Sequence, residues 1–345
     1  MKKIISLLLA TVMIFGVTLS VSAAPLSDGL DAIRAEFQKG VGPETDGYAI
    51  DYRYFSPAEE NDDTKYPLLI FLHGMGDGRN EETPLNSHLV ANFASDEFQA
   101  RFGEGAFIML PRSLEEKGLF WPYQLIAPLK AAIDDFIAVN GANIDLSRIY
   151  IGGYSVGGKM TLVMTIAFPE MFAAALPICP AWSPTSDMIE YIADMPIWLT
   201  SATTDPLVTY YFGVANTWNR LAKVTNVPEK CRFTTLTRCC YPDGKIAMSA
   251  HHSWIAVQSD MFSSDNGDYP HSRIVDGLGN EVKLEYPNGV ISWLMQHTSD
   301  YDGTATTGTG NITKDTNISS IISYENFLDF FTVLFNGIKL MFSFL

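Results

Sequence analysis

Basic residues are scarce in this chain: 23 Lys and Arg stand against 39 Asp and Glu, a formal charge of −16. A surface of that sign repels phosphate backbones and anionic membranes, which makes nucleic acid an ill-suited partner. Cysteine is scarce too, with Cys179, Cys231, Cys239 and Cys240 allowing at most two disulfides and three full pairings, among which the sequence does not choose. No CxxC or Cys/His spacing marks a structural zinc site. If Cys231 to Cys239 formed one extended strand its ends would lie roughly 26 Å apart, so that pairing needs a chain reversal. Also missing is an apolar run of the roughly 20 residues that a membrane-spanning helix requires. The N-terminal run from Ile4 to Leu19 is about 16 residues, follows Lys2 and Lys3, and leads into the small-residue stretch "SVSAAP". That order predicts a secretory leader over residues 1–24, cut after Ala23 or Ala24. Its loss leaves 21 basic residues against 39 acidic ones, a formal charge of −18.

What is present is a core-forming composition, 47% hydrophobic and only 18% charged, which suits a packed globular protein. From about Tyr48, short apolar runs ("YAIDYRYF", "YPLLIFLHG", "AFIMLPR", "RIYIGGYS", "FAAALPIC", "MPIWLTSA", "RFTTLTR") alternate with segments of helical period or length, 86–101, 122–139, 158–168, 186–193 and 208–224. A last helix is expected at "GVISWLMQH". Strand and helix in alternation predict an α/β fold, a mostly parallel, doubly wound sheet with helices on both faces. The polar stretch 255–287 reads as an insertion near the site, with turn signals and a candidate hairpin. The catalytic domain is placed at 25–297, followed by a Thr/Gly-rich linker at 298–319 that is too poor in large apolar residues to fold alone. In the tail 320–345, Leu328, Phe331, Phe335, Ile338, Phe342 and Leu345 recur at helical steps, an amphipathic pattern. It suits either a last helix docked on the core or a peripheral membrane or partner contact.

Chemistry concentrates around "IYIGGYSVGGKM". An aliphatic strand, then Gly153-x-Ser155-x-Gly157, then a helix is the context in which a tight turn exposes a serine hydroxyl at the carboxyl edge of a sheet. A serine nucleophile needs a base to take its proton and a carboxylate to orient that base. "PIWLTSATTDPLV" offers Asp205 just past a strand, where it also suits a helix cap before Pro206. "SAHHSW" offers His251 and His252 after the next strand. The oxyanion would be met by the backbone N–H of Val156, after the nucleophile, and of Met75, in the loop after "LLIFLHGMGDG". His73, in that loop, is read as structural.

Together, "YPLLIFLHGMGDG", "IDLSRIYIGGYSVGG", "FPEMFAAALPIC", "PIWLTSATTDPLV" and "AHHSW" resemble the secreted α/β-hydrolase esterases related to polyhydroxybutyrate depolymerases, feruloyl and acetylxylan esterases and the predicted peptidases of that group. The resemblance covers about Tyr48 to His297. It implies the α/β-hydrolase fold and a Ser155–Asp205–His251 triad, since "AHHSW" is similar to the Gly-His-x-x-Trp stretch of that family; His252 remains the alternative base. Two departures bear on loop geometry: Ser201-Ala202 where His-Gly is usual, and Ala250 where glycine is typical. Trp121, Trp182 and Trp254 fall in loops near the expected sheet edge and are candidates to stack on sugar or phenolic groups, with ordinary packing as the competing role. The expected activity is that of an exported or cell-surface serine hydrolase of carboxylic esters, such as acyl or feruloyl groups on plant polysaccharide. Two alternatives stay open: a prolyl-oligopeptidase-like serine peptidase, and a non-catalytic surface protein that binds a glycan or a partner. The ester chemistry calls for no metal or organic cofactor.

Overall fold

The computed structural model describes residues 29–57, 63–261, 272–284 and 289–304. The expected leader, the linker beyond residue 304 and the amphipathic tail 320–345 lie outside the described residues. The strand Tyr66–Leu72 shows how the sheet is held. All seven of its residues are buried. Leu68, Ile70 and Leu72 join one apolar cluster, while Leu69 and Phe71 join the other. Side chains that alternate across a strand buried on both faces need an apolar run rather than an apolar/polar alternation. Each such Leu or Ile contributes about 1.5–3 kcal/mol of burial.

In chain order the strands are β1 (Gln38–Val41), β2 (Asp51–Phe55), β3 (Tyr66–Leu72), β4 (Phe107–Pro111), β5 (Ile144–Tyr154), β6 (Ala174–Ile178), β7 (Trp198–Ala202), β8 (Arg232–Leu236) and β9 (Ser272–Asp276). They form one sheet in the order β1-β2-β4-β3-β5-β6-β7-β8-β9. The run from β4 through β3, β5, β6 and β7 to β8 is parallel, and antiparallel strands extend it at both ends. Helices Ile126–Asn140, Val156–Ala167 and Ala215–Val224 cover one face. The other face carries Asp96–Arg101, Trp254–Gln258 and Val290–Leu294.

Two expectations change. The segment 86–101 is not one helix: Ser95 is extended (ψ 150°) and its hydroxyl accepts from Phe98 N, capping a short helix that starts at Asp96. The stretch 255–287 begins with a buried helix, Trp254–Gln258, and contains β9, which pairs with β8 and closes that end of the sheet. All four cysteines are free and buried, and Cys231 and Cys239 flank the two ends of β8.

Because β3 and β5 to β8 are parallel, their carboxyl ends fall on one edge of the sheet. There the chain delivers His73 and Gly74 after β3, Ser155 after β5, Cys179 after β6, Asp205 after β7 and His251 beyond β8.

Candidate active site

Ser155 sits between β5 and the helix Val156–Ala167 with φ 57° and ψ −118°, a conformation that side-chain-bearing residues rarely adopt. The turn is locked by its neighbours. Ser155 N donates to Ile178 O at 3.0 Å, and Ser155 O accepts from Ala181 N and Lys159 N at 3.0 and 2.9 Å. Gly157 is required by close approach, since a Cβ there would lie 2.3 Å from Leu72 O and 2.4 Å from His73 O. The strained serine thus rests on the end of β3, half-buried at the sheet edge.

Asp205 and His251 form a closed pair. His251 Nδ1 lies 2.7 Å from Asp205 Oδ2, and the other carboxylate oxygen accepts from Leu207 N and Val208 N at 2.8 and 2.9 Å. An aspartate so held does cap the segment after Pro206, and it orients the imidazole at the same time. Since a neutral ring donates from Nδ1 to the carboxylate, its Nε2 lone pair is left to accept a proton. Burial works against a charged His251 ring, but the Cys179 sulfur and the Asp205 carboxylate outweigh it, so the ring binds a proton more tightly than a free imidazole. Among the described residues no hydrogen bond joins Ser155 Oγ to His251. Such contacts often close only in the substrate complex.

His252 has a different environment. Its ring packs 5.0 Å from His88 and 4.9 Å from Trp254, and its buried Nδ1 has no partner among the described residues. Burial, then the charges of His88 and His251, lowers its pKa to about 4. Asp205 therefore orients His251 and not its neighbour.

Two backbone donors flank the serine. Val156 N–H opens a helix and has no intrahelical acceptor. Met75 N–H has no acceptor among the described residues, whereas the next one, Gly76 N–H, is taken by Glu115 Oε1 at 2.8 Å. A Cβ on Gly74 would stand 3.6 Å from Ser155 Cβ, so this loop runs against the nucleophile. His73 anchors it: Nδ1–H donates to Gly74 O at 2.7 Å and Nε2 accepts from Ser113 N at 3.0 Å. Enclosed in that way, the ring has its pKa lowered to about 4 by burial.

The three candidate tryptophans separate. Trp121 is wholly enclosed, at φ 52°, with Nε1 donating to His73 O at 3.1 Å, so it supports the Met75 loop from inside and offers no face to a substrate. Trp182 and Trp254 keep 8% and 4% of their surface exposed. Trp254 stacks on Tyr154 with ring centroids 4.2 Å apart and meets the His251 ring edge-on at 5.2 Å. It clamps the residue before the nucleophile to the loop bearing the base. Tyr154 OH in turn donates to Asp77 Oδ2 at 2.6 Å and lies 2.5 Å from Ser87 Oγ.

Sequence reasoning passed over Glu115, Asp77 and Cys179. Asp77 lies inside "LLIFLHGMGDG" without a role assigned to it, and Glu115 falls in no motif. The spacing of Cys179 to other cysteines and histidines carries no signal, yet its sulfur lies 3.6 Å from His251 O.

Comparison with known proteins places the chain among hydrolases of this fold. Residues 128–237, which include Ser155 and Asp205, match the profile of the prolyl oligopeptidase family. The chain is similar to an acyl-protein thioesterase 1 of Cryptococcus neoformans var. neoformans serotype D, 24% identical over 189 residues, 49% of this chain and 76% of the relative. Among solved structures it is similar to a thermostable esterase, with TM-score 0.56 and 27% identity over 77% of this chain. That match spans 64% of the esterase's own chain, just under two thirds of its length. The chain has the α/β-hydrolase fold, and its likenesses lie among esterases, a thioesterase and peptidases of that fold.

Proposed function

We propose that this chain is an exported serine hydrolase that cleaves carboxylic esters through an acyl-enzyme, with acyl or feruloyl groups on plant polysaccharide as its substrate class. The observation that carries the hydrolase reading is the strained Ser155 elbow on the same sheet edge as the hydrogen-bonded Asp205–His251 pair. Export rests on the leader-like residues 1–24, and the polysaccharide substrate rests on the family resemblance.

In the first half-reaction Ser155 Oγ attacks the ester carbonyl while His251 Nε2 takes its proton, and Asp205 steadies the imidazolium. The carbonyl oxygen becomes an oxyanion facing the N–H groups of Met75 and Val156, a donor type worth roughly 3–4 kcal/mol each to the transition state. Collapse breaks the bond to the alcohol oxygen, which leaves with the proton from His251. Water then repeats the sequence: His251 takes its proton, hydroxide adds to the acyl carbon, and the acid departs as Ser155 recovers its hydrogen.

A peptidase reading is favoured by one observation, the match of residues 128–237 to the prolyl oligopeptidase family. A fluorophosphonate probe tests the shared chemistry: covalent labelling is expected in the wild type and absent in Ser155→Ala. His251→Ala should lower turnover by about a thousandfold or more, while His252→Ala keeps most of it. An unlabelled wild type, or loss of turnover confined to His252→Ala, overturns the assignment. Acetyl, feruloyl, thioester and peptidyl chromogenic substrates assayed side by side separate ester from amide cleavage.

A further inference from the structure

Cys179 is a buried thiol that the hydrolytic steps do not use, yet it lies beside the base and the carboxylate that orients it. One donor atom from each of Cys179, Asp205 and His251 lies within 4.8 Å of the others. Tetrahedral zinc, with bonds of about 2.0–2.3 Å, holds its ligand atoms roughly 3.3–3.7 Å apart. Bound through Nδ1, an ion would part that atom from Asp205 Oδ2, 2.7 Å away, by about half an ångström or more, while donor atoms near the 4.8 Å limit would close by about an ångström.

The geometry points to a thiophilic divalent cation, zinc foremost, as a ligand of Cys179, Asp205 and His251 that shuts off the base. The donor set is the argument. A thiolate beside an imidazole selects zinc over magnesium or calcium, which prefer oxygen. Thiolate and carboxylate together carry the two negative charges that neutralise the ion, so the occupied site carries no net charge. Asp205 is already held by Leu207 N and Val208 N, the kind of outer support that fixes a ligating carboxylate. The chain's formal charge of −16 draws cations towards it.

Binding is balanced in protons: the Cys179 thiol gives up its hydrogen to solvent as the sulfur–metal bond forms. The consequence for turnover rests on the proposed function. Bound through Nε2, the metal occupies the lone pair that would accept the Ser155 proton. Bound through Nδ1, it forces the ring hydrogen onto Nε2. Either way the base is lost until a chelator removes the ion.

Cobalt is the probe, because its thiolate complexes absorb in the near ultraviolet and tetrahedral ones in the visible. Titrating the full chain with Co²⁺ is expected to raise both bands, which Zn²⁺ then erases. Cys179→Ser should weaken the affinity by at least about tenfold, while Cys231→Ser leaves it unchanged. In the wild type, Zn²⁺ should release at least one proton per ion bound, a measurement that needs no variant to fold. Absence of the cobalt bands, their persistence in Cys179→Ser, or zinc uptake without proton release overturns the site. Intact bands with unaltered ester turnover would instead overturn His251 as the base.

Discussion

Acidification from about pH 7 to about pH 4 is expected to remove roughly 3 kcal/mol of stability through His73 alone. Its Nδ1–H is given to Gly74 O and its Nε2 accepts from Ser113 N, so the neutral ring is fully used. A second ring proton would face the Ser113 N–H and lose that bond. Burial therefore lowers the pKa from 6.5 to about 4. The sign follows from proton counting. Between those two values the unfolded chain holds a proton on His73 that the folded chain refuses, so stability falls as the pH falls through that window. About 2.5 pH units at about 1.36 kcal/mol each give about 3.4 kcal/mol in all, of which roughly 3 is lost by about pH 4. His251 does not offset it: a ring whose proton affinity is raised on folding stabilises below its unfolded value and loses that contribution only as the pH rises.

Urea unfolding between about pH 7.5 and about pH 4.5 measures the effect, with His73→Gln as the comparison. Glutamine can accept from Ser113 N and cannot titrate. The wild type contains other histidines lowered in the same direction, His88 and His297 among them, so its own slope includes more than one proton. The difference between the two slopes isolates His73 and should approach about 1.36 kcal/mol per pH unit in the middle of the window. Parallel curves would refute the reasoning, as would a proton resonance of His73 that titrates near the free-imidazole value.

Two further substitutions probe the frame. Gly157→Ala drives a methyl to within 2.3 Å of Leu72 O, a backbone atom that cannot step aside, and is expected to cost about 3 kcal/mol or more and to remove turnover, measured by urea midpoint and ester assay. Unchanged stability would mean that the serine turn is less tightly seated than described. Asp260 is a buried carboxylate that accepts from Arg101 Nη1 and Val290 N, both at 2.6 Å. Asp260→Ala should cost about 1–3 kcal/mol by taking the acceptor from Val290 N and leaving Arg101 to its pair with Glu97 at 2.6 Å, and adding Arg101→Met should recover part of it; equal stability of the single and double variants would show that the pair is not coupled.

The central strands β3, β4 and β6 were legible because they are buried throughout and so appear as unbroken apolar runs. The sheet's edges were not. β1, "QKGV", has no buried residue, and β9, "SRIVD", buries only Ile274, so neither carries the apolar density that marks a strand. Residues 86–101 have helical length, and only Ser95 betrays the break: serine competes for the backbone N–H of Phe98 and starts a new turn.

The same division between local and distant information governs the site. Ser155 announces itself because the pattern that marks its turn lies within a few residues, strand before, glycines beside, helix after. Trp121 misled because a loop position says nothing of depth; its indole is drawn inward by His73 O, 48 residues away. Cys179 was silent for the strongest reason of this kind. Its chemistry depends on Asp205 and His251, and only the adjacency of β6, β7 and β8 in the sheet brings those three loops together. A pattern search keyed to short ligand spacings cannot see such a set, since parallel strands joined by crossovers place neighbours in space far apart in the chain. In this fold the nucleophile is written in one motif, whereas whatever restrains the base has to be read from the order of the strands.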